Sequence, residues 1–147
     1  MRELRYAERL CARTARLYRN LGAACTFCSV LGGSGALAAL APALPAWVSL
    51  GGAGLLALSG AVALTVRPAD KAAANEADVR KYLRLRTAGL GMSAAELAAA
   101  KARAHESDVP EVEPLRDVAW NDVMAEAGFA QAAVPLRPLQ RLLAALA

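Results

Sequence analysis

A chain of 147 residues and 15.3 kDa has room for one domain or a small assembly of helices. With 56% hydrophobic residues, 5% aromatics and a mean hydropathy of +0.31, it excludes intrinsic disorder. The scarcity of β-branched and aromatic residues beside abundant alanine also argues against a β-sandwich or barrel. The net charge of +4 hides an uneven distribution: Arg19 and Arg67 bracket 47 residues, 20–66, that carry no charge.

Residues 2–19 read as a helix, with Leu4, Leu10 and Leu17 set among arginines three or four apart. Such a basic helix is expected to lie on a membrane surface or to run straight into the segment that follows. Arg13, Arg16 and Arg19 are its expected membrane-interface residues, as flanking positive charge.

The uncharged run is too long for one transmembrane helix of about 20 residues and suits two with a turn between them. Pro42 and Pro45 supply the turn, within 41–47. The expected spans are 21–40 and 48–66. Trp47 suits the headgroup layer at the start of the second, and Arg67, Pro68 and Lys71 close it on the basic side. A buried hairpin in a soluble protein is the alternative, but a chain this size has too little other surface to cover two helices that are apolar all round. A signal peptide cleaved after Ala36-Leu37-Ala38 fits poorly, because its basic region would be nearly the length of residues 1–19 and a full span would follow. Small residues recur every four positions in both spans: Ala24, Cys28, Gly32 and Ala36 in the first, and Ser49, Ala53, Ala57, Ala61 and Thr65 in the second. Such lines let membrane helices approach closely, within a hairpin or between copies in a homo-oligomer.

After Pro68, residues 69–88 read as a helix with Val79, Tyr82 and Leu85 in its apolar stripe, ended by Gly89 and Gly91. Ser93-Ala94-Ala95-Glu96 has the form of a capping box and starts the next helix, through Ala104. Residues 109–114 form a connector, and Pro114 sits where a helix can begin. Val118, Ala119, Val123 and Met124 then follow at helical spacing up to Gly128, a suitable C-terminal cap. A last amphipathic helix starts near Pro138, with Leu139, Leu142, Leu143 and Leu146 on one side.

Regional charge orients the chain. Residues 1–19 and 67–103 each carry a balance of +4, and residues 104–147 carry −4. Both basic flanks belong on the cytoplasmic side, which places both termini there and the uncharged turn outside. The basic excess suits anionic lipid headgroups. No nucleic-acid partner is expected, since no basic stripe interleaved with aromatics occurs.

Catalytic chemistry finds no foothold. Cys25-Thr26-Phe27-Cys28 has a redox-capable spacing, but both cysteines fall inside the first span near the reducing side. With only Cys11 besides, they read as small apolar span residues. His105 is the single histidine, without a set of ligands at metal spacing, so no metal or cofactor is expected. No nucleophile triad or phosphate-binding loop is present, and the spans offer no ionisable relay. The acids of 106–126 read as a solvated face.

The expected architecture is all-α: a basic helix at 1–19, a two-span transmembrane hairpin at 20–67 and a cytoplasmic helical region at 68–147. That order, with a Tyr-x-x-Leu element at Tyr82-Leu83-Arg84-Leu85 and the Asn-containing run from Pro114 through Trp120-Asn121-Asp122, resembles the SLATT-type bacterial two-span membrane effectors. The resemblance implies a non-enzymatic inner-membrane protein of anti-phage or conflict systems. Its cytoplasmic part would receive a signal from a protein partner or sensor, with Tyr82, Leu85, Trp120 and Asn121 as the expected contacts. Its spans would then oligomerise and permeabilise the membrane. The competing expectation is a structural, adaptor or holin-like protein of a prophage or mobile element that tethers a cytoplasmic partner.

Overall fold

The structure, a computed structural model, describes residues 2–37 and 45–147. It is all-α, with no strand among the described residues. The helices are α1 (Arg2–Leu37), α2 (Ala46–Val66), α3 (Pro68–Ala88), α4 (Ala94–Glu106), α5 (Arg116–Glu126) and α6 (Pro138–Leu146), with short 3-10 turns at Gly89–Gly91, Glu113–Leu115 and Ala130–Ala132. Of the expected turn at 41–47, residues 41–44, and with them Pro42, lie outside the described residues. Pro45 is extended and immediately precedes α2.

Two compact units share these helices. One comprises Met1–Leu17 and Lys71–Ala147, the other Tyr18–Asp70. The expected stretches 1–19 and 68–147 are thus largely drawn into one unit, while residues 18–19 and 68–70 fall in the other with the uncharged run. The first turns of α1 bury Leu4, Ala7, Leu10 and Cys11 and run straight on into the uncharged residues, the second of the two arrangements expected for them.

The reason is the pattern of α1's apolar residues, which occupy two faces. Leu4, Ala7 and Cys11 pack with Tyr82 of α3 and Ala104 of α4, joined by Val79, Leu85 and Leu97. Leu10, with Tyr6 and Leu17 beside it, packs with Leu115, Val118, Ala119 and Ala147, joined by Leu143 and Ala144 of α6. Spacings of three, four and seven keep each set on its own side of the helix.

Local chemistry sets the ends of the other helices. Ser93 accepts from the amide of Glu96 at 3.3 Å, and Glu96 accepts from the Ser93 amide at 2.8 Å, so the capping box forms. The hydrogen bonds with Ser93 hold the Glu96 carboxyl below its usual range. At the end of α5, Phe129 N–H donates to Met124 O at 2.8 Å and Gly128 N–H to Ala125 O at 3.1 Å. This six-to-one and five-to-two pairing requires a left-handed residue, and Gly128 provides it at φ +78°.

Candidate functional site

The unit Tyr18–Asp70 holds the uncharged half of α1 and all of α2 as an antiparallel pair. Its contacts run from one end to the other. A Cβ on Gly22 would lie 3.7 Å from Pro68, and Ser29 Oγ is 2.8 Å from Ser59 Oγ. A Cβ on Gly32 would stand 2.6 Å from Leu56 N and 2.7 Å from Gly52 O, and one on Gly35 3.1 Å from Gly52 Cα. Only hydrogen fits at Gly32, which is how the two backbones come this close.

Within the pair, the seam follows other residues than the expected lines. On α2 the covered side runs through Val48, Gly52, Leu55, Ser59, Val62 and Val66, in alternating steps of four and three. On α1 it runs through Gly22, Cys25, Ser29 and Gly32. Each step of four advances about 40° beyond a full turn, so a strict i, i+4 line winds off the contact face, whereas alternating three and four stays on it. Of the expected residues, Gly32 is on the seam and Cys28 and Ser49 are half-covered beside it. Ala24, Ala53, Ala57, Ala61 and Thr65 face outward in this chain, and Ala36 falls outside the described side chains. The outward line is left for the other expected use, contact between copies.

The outward side of the pair is apolar. Trp47, Leu50 and Leu64 are 74%, 78% and 80% exposed, and Phe27, Val30, Leu31 and Leu58 are exposed as well. Among the described residues one helical stretch, Ala46–Gly91 with α2 as its apolar part, is long and apolar enough to cross a membrane. The apolar part of that stretch is largely exposed, where a helix in a protein core would be mostly buried. At 1.5 Å per residue α2 measures about 31 Å, close to a hydrocarbon core. Hydroxyls along the pair are satisfied locally: Thr26, Ser34, Ser49 and Thr65 donate to carbonyls three or four residues back.

One end of the pair carries the cations. Arg19 and Arg67 are there with Pro68, and Trp47 is at the other end. Arg67 is the junction between α2 and α3. It is left-handed at φ 51°, its N–H caps Ala63 O at 3.2 Å, and its guanidinium pairs with Asp70 at 2.6 Å. Lys71 is exposed at the following turn of α3, and its carbonyl accepts from Asn75 at 2.8 Å.

The unit Met1–Leu17 with Lys71–Ala147 uses its charges differently from the expected interface. Arg13 donates through Nε and Nη2 to both oxygens of Asp122, at 2.9 and 3.1 Å, and through Nη1 to Ala144 O at 3.2 Å. It ties α1 to α5 and α6 and is not a headgroup contact. Arg9 pairs with Glu126, Arg86 with Glu8 at 2.6 Å, and Lys101 with Glu3. Arg16 is exposed. Of the acids of 106–126, Asp122 and Glu126 thus hold partners on α1, and Asp108 and Glu111 pair with Lys81 and Arg116, so these four are not simply a solvated face.

A polar clasp joins α3 to the end of α4. Lys81 Nζ lies 2.8 Å from Asp78, 2.6 Å from Asp108 and 2.9 Å from Ala104 O. Tyr82 donates its hydroxyl to Asp108, and His105 Nδ1 is 3.0 Å from that hydroxyl and 2.9 Å from Asp108 Oδ2. Burial pushes the Asp108 carboxyl up, but hydrogen bonds from Lys81, Tyr82 and His105 outweigh it and leave it below its usual range. Burial, then the bond to Asp108, pushes the Tyr82 hydroxyl far up. Burial also works against the Lys81 charge, yet its carboxylate partners hold its pKa above the ordinary value. Every polar member of the clasp is satisfied by another, so it fastens helices and presents no free nucleophile. Burial, reinforced by Asp78, Asp108 and Glu111, raises the nearby Cys11 thiol to about 12, which leaves it inert as a thiolate source.

The expected partner contacts are largely internal. Tyr82 is fully buried, and Leu85 packs on the first core cluster. Asn121 is spent on the backbone of Val134, accepting from its N–H at 2.7 Å and donating to its carbonyl at 2.8 Å. Trp120 is partly exposed and meets the Tyr6 ring edge-on, with centroids 6.3 Å apart. Spacing had marked Tyr82 and Leu85 as an apolar stripe, and that reading describes them better than the motif does. Among the described residues no group of three His, Cys, Asp or Glu side chains could hold a metal ion. No family model, curated protein or solved structure matches the chain.

Proposed function

We propose that the chain is a bacterial inner-membrane protein whose unit Tyr18–Asp70 spans the bilayer twice, with both termini in the cytoplasm. The observation that carries this reading is the exposed apolar surface around the α1–α2 pair, which water would not tolerate and lipid would cover. Cations at one end and Trp47 at the other favour the orientation. The role proposed is that of a SLATT-type effector: a non-enzymatic protein whose pairs assemble and perturb the membrane on a cytoplasmic signal. One pair offers no water path, because its hydroxyls are used within it and residues 20–66 carry no charge. Permeation therefore requires several copies, through the outward line Ala53, Ala57, Ala61.

Topology is tested with an impermeant maleimide on intact cells. Pro45→Cys is expected to label from outside and Ser107→Cys only after lysis, with Cys11, Cys25 and Cys28 replaced in both. Labelling of neither or both before lysis contradicts two spans. The effector role is tested by strong expression with a membrane-potential dye. A fall in potential that Ala57→Arg prevents supports it, and an unchanged potential with the protein in the membrane opposes it.

A tether is the second reading. It is favoured by the two core clusters and the ion pairs of the unit Met1–Leu17 with Lys71–Ala147, which is built to stay folded. A stable cytoplasmic partner captured from cells, without loss of potential, selects it.

A further inference from the structure

The last described helix, α6, is apolar on two sides. Its inward side is pinned. Leu143, Ala144 and Ala147 join the second core cluster, Arg13 donates to Ala144 O at 3.2 Å, and Gln140 donates to Asp117 at 2.7 Å. These ties fix what the helix presents outward, and that is Leu139, Leu142 and Leu146, exposed by 59%, 59% and 46%. Their spacing of three and four makes one continuous stripe. Residues 137–147 contain Arg137 and Arg141 and no acid, although residues 104–147 as a whole are acidic. Arg141 lies about 100° round the helix from Leu142, close enough for its stem to follow the apolar face while its guanidinium reaches a headgroup.

We infer that the outer face of α6 docks on the surface of an anionic bilayer, with the three leucines in the interfacial layer and Arg141 among phosphates. A leucine stripe on a segment whose charges are all cations is complementary to that surface, and the surface supplies both the apolar and the anionic contacts. A second copy of α6 would bring leucines to leucines but arginines to arginines, which is unfavourable. The inference rests on the membrane reading of Tyr18–Asp70, which keeps the chain beside lipid.

The test reconstitutes the full chain in nanodiscs of phosphatidylcholine alone and of phosphatidylglycerol alone, and follows amide hydrogen exchange in residues 138–147. In phosphatidylglycerol the exchange is expected to slow by about tenfold relative to phosphatidylcholine. Arg141→Glu, which leaves the leucines and the core face intact, is expected to remove that difference. The combined Leu139→Ser, Leu142→Ser, Leu146→Ser variant is expected to remove it too, with α5 exchange unchanged. Equal exchange of 138–147 in the two lipids overturns the inference while leaving the membrane reading standing. So does protection that follows the number of chains per disc, which indicates a second copy. A chain that does not enter discs at all overturns both.

Discussion

Gly32 of α1 lies so close to α2 that a Cβ on it would stand 2.6 Å from the amide nitrogen of Leu56. One turn away, Ser29 and Ser59 share a hydrogen bond of 2.8 Å between their hydroxyls. Gly32→Ala must push backbone away from backbone, at a cost of about 1–3 kcal/mol. Gly33→Ala meets nothing within 4 Å and replaces a helical glycine, so it is expected to be neutral or to stabilise by up to about 1 kcal/mol. Denaturant titrations of both variants in the same detergent check the contrast. A double-mutant cycle of Ser29→Ala and Ser59→Ala is expected to give a coupling of about 0.6 kcal/mol.

Thr14 is wholly buried, and among the described residues its Oγ1 is the buried side-chain oxygen with no hydrogen-bond partner. Thr14→Val keeps the shape and removes the unsatisfied hydroxyl. It is expected to stabilise the unit by about 1 kcal/mol, read as a raised melting temperature. A lowered melting temperature would show that the hydroxyl has a partner after all.

Arg13→Ala removes three hydrogen bonds at once and leaves Asp122 without its cation. A loss of about 2–3 kcal/mol is expected for this partly covered pair, against less than about 0.5 kcal/mol for the exposed Arg16→Ala. Thermal unfolding of the two variants separates a structural arginine from a flanking one.

The clasp predicts a stability profile with two limbs. Asp108 has a depressed pKa, so its contribution is present above the ordinary value of 3.8 and is lost as pH falls through its lower folded value. Asp108→Asn should remove part of the acid limb. Cys11 is raised from 9.0 to about 12, so its contribution is complete below pH 9 and is lost as pH rises towards 12. Cys11→Ala should flatten the alkaline limb in part, leaving the share of Lys81 and Tyr82, whose pKa values are also raised. Melting temperatures across pH 3 to 11 measure both limbs, within about a unit of the group values.

Arg67 is the non-glycine residue at positive φ among the described residues. Left-handed backbone costs an L-residue about 1–2 kcal/mol, which glycine avoids. Arg67→Gly is expected to raise stability by about that much less the exposed pair with Asp70, whereas Arg67→Val should lower it. Denaturation midpoints of the two variants give opposite signs.

Much of the fold was legible because single residues announce helix ends. Ser93 with Glu96, Gly128, Pro68 and Pro138 all mark the boundaries they suggest. The expected start of α2 at residue 48 was late by two, because Pro45 ends its turn sooner than the indole of Trp47 suggests. The role of α1 was less legible. Its core positions include Ala7, Cys11, Thr14 and Ala15, small residues that do not stand out beside six arginines, so charge concealed a buried helix. The seam was illegible for a related reason. Alanine and glycine fill every face of the pair, and only the alternation of Gly52, Leu55, Ser59 and Val62 against Gly32 and Ser29 distinguishes the inner one.

The unit that contains Leu10 and Leu115 is discontinuous, and this has a consequence in time. The two residues are 105 positions apart, so at about 5–20 residues per second Leu10 leaves the ribosome some 5–20 s before its partner. Throughout that interval the early turns of α1 hold Leu4, Leu10 and Leu17 without the helices that cover them, and residues 18–70 emerge in the earlier part of it. A nascent chain halted before Leu115 is therefore expected to engage chaperones through α1, and the chain released from the ribosome to be free of them.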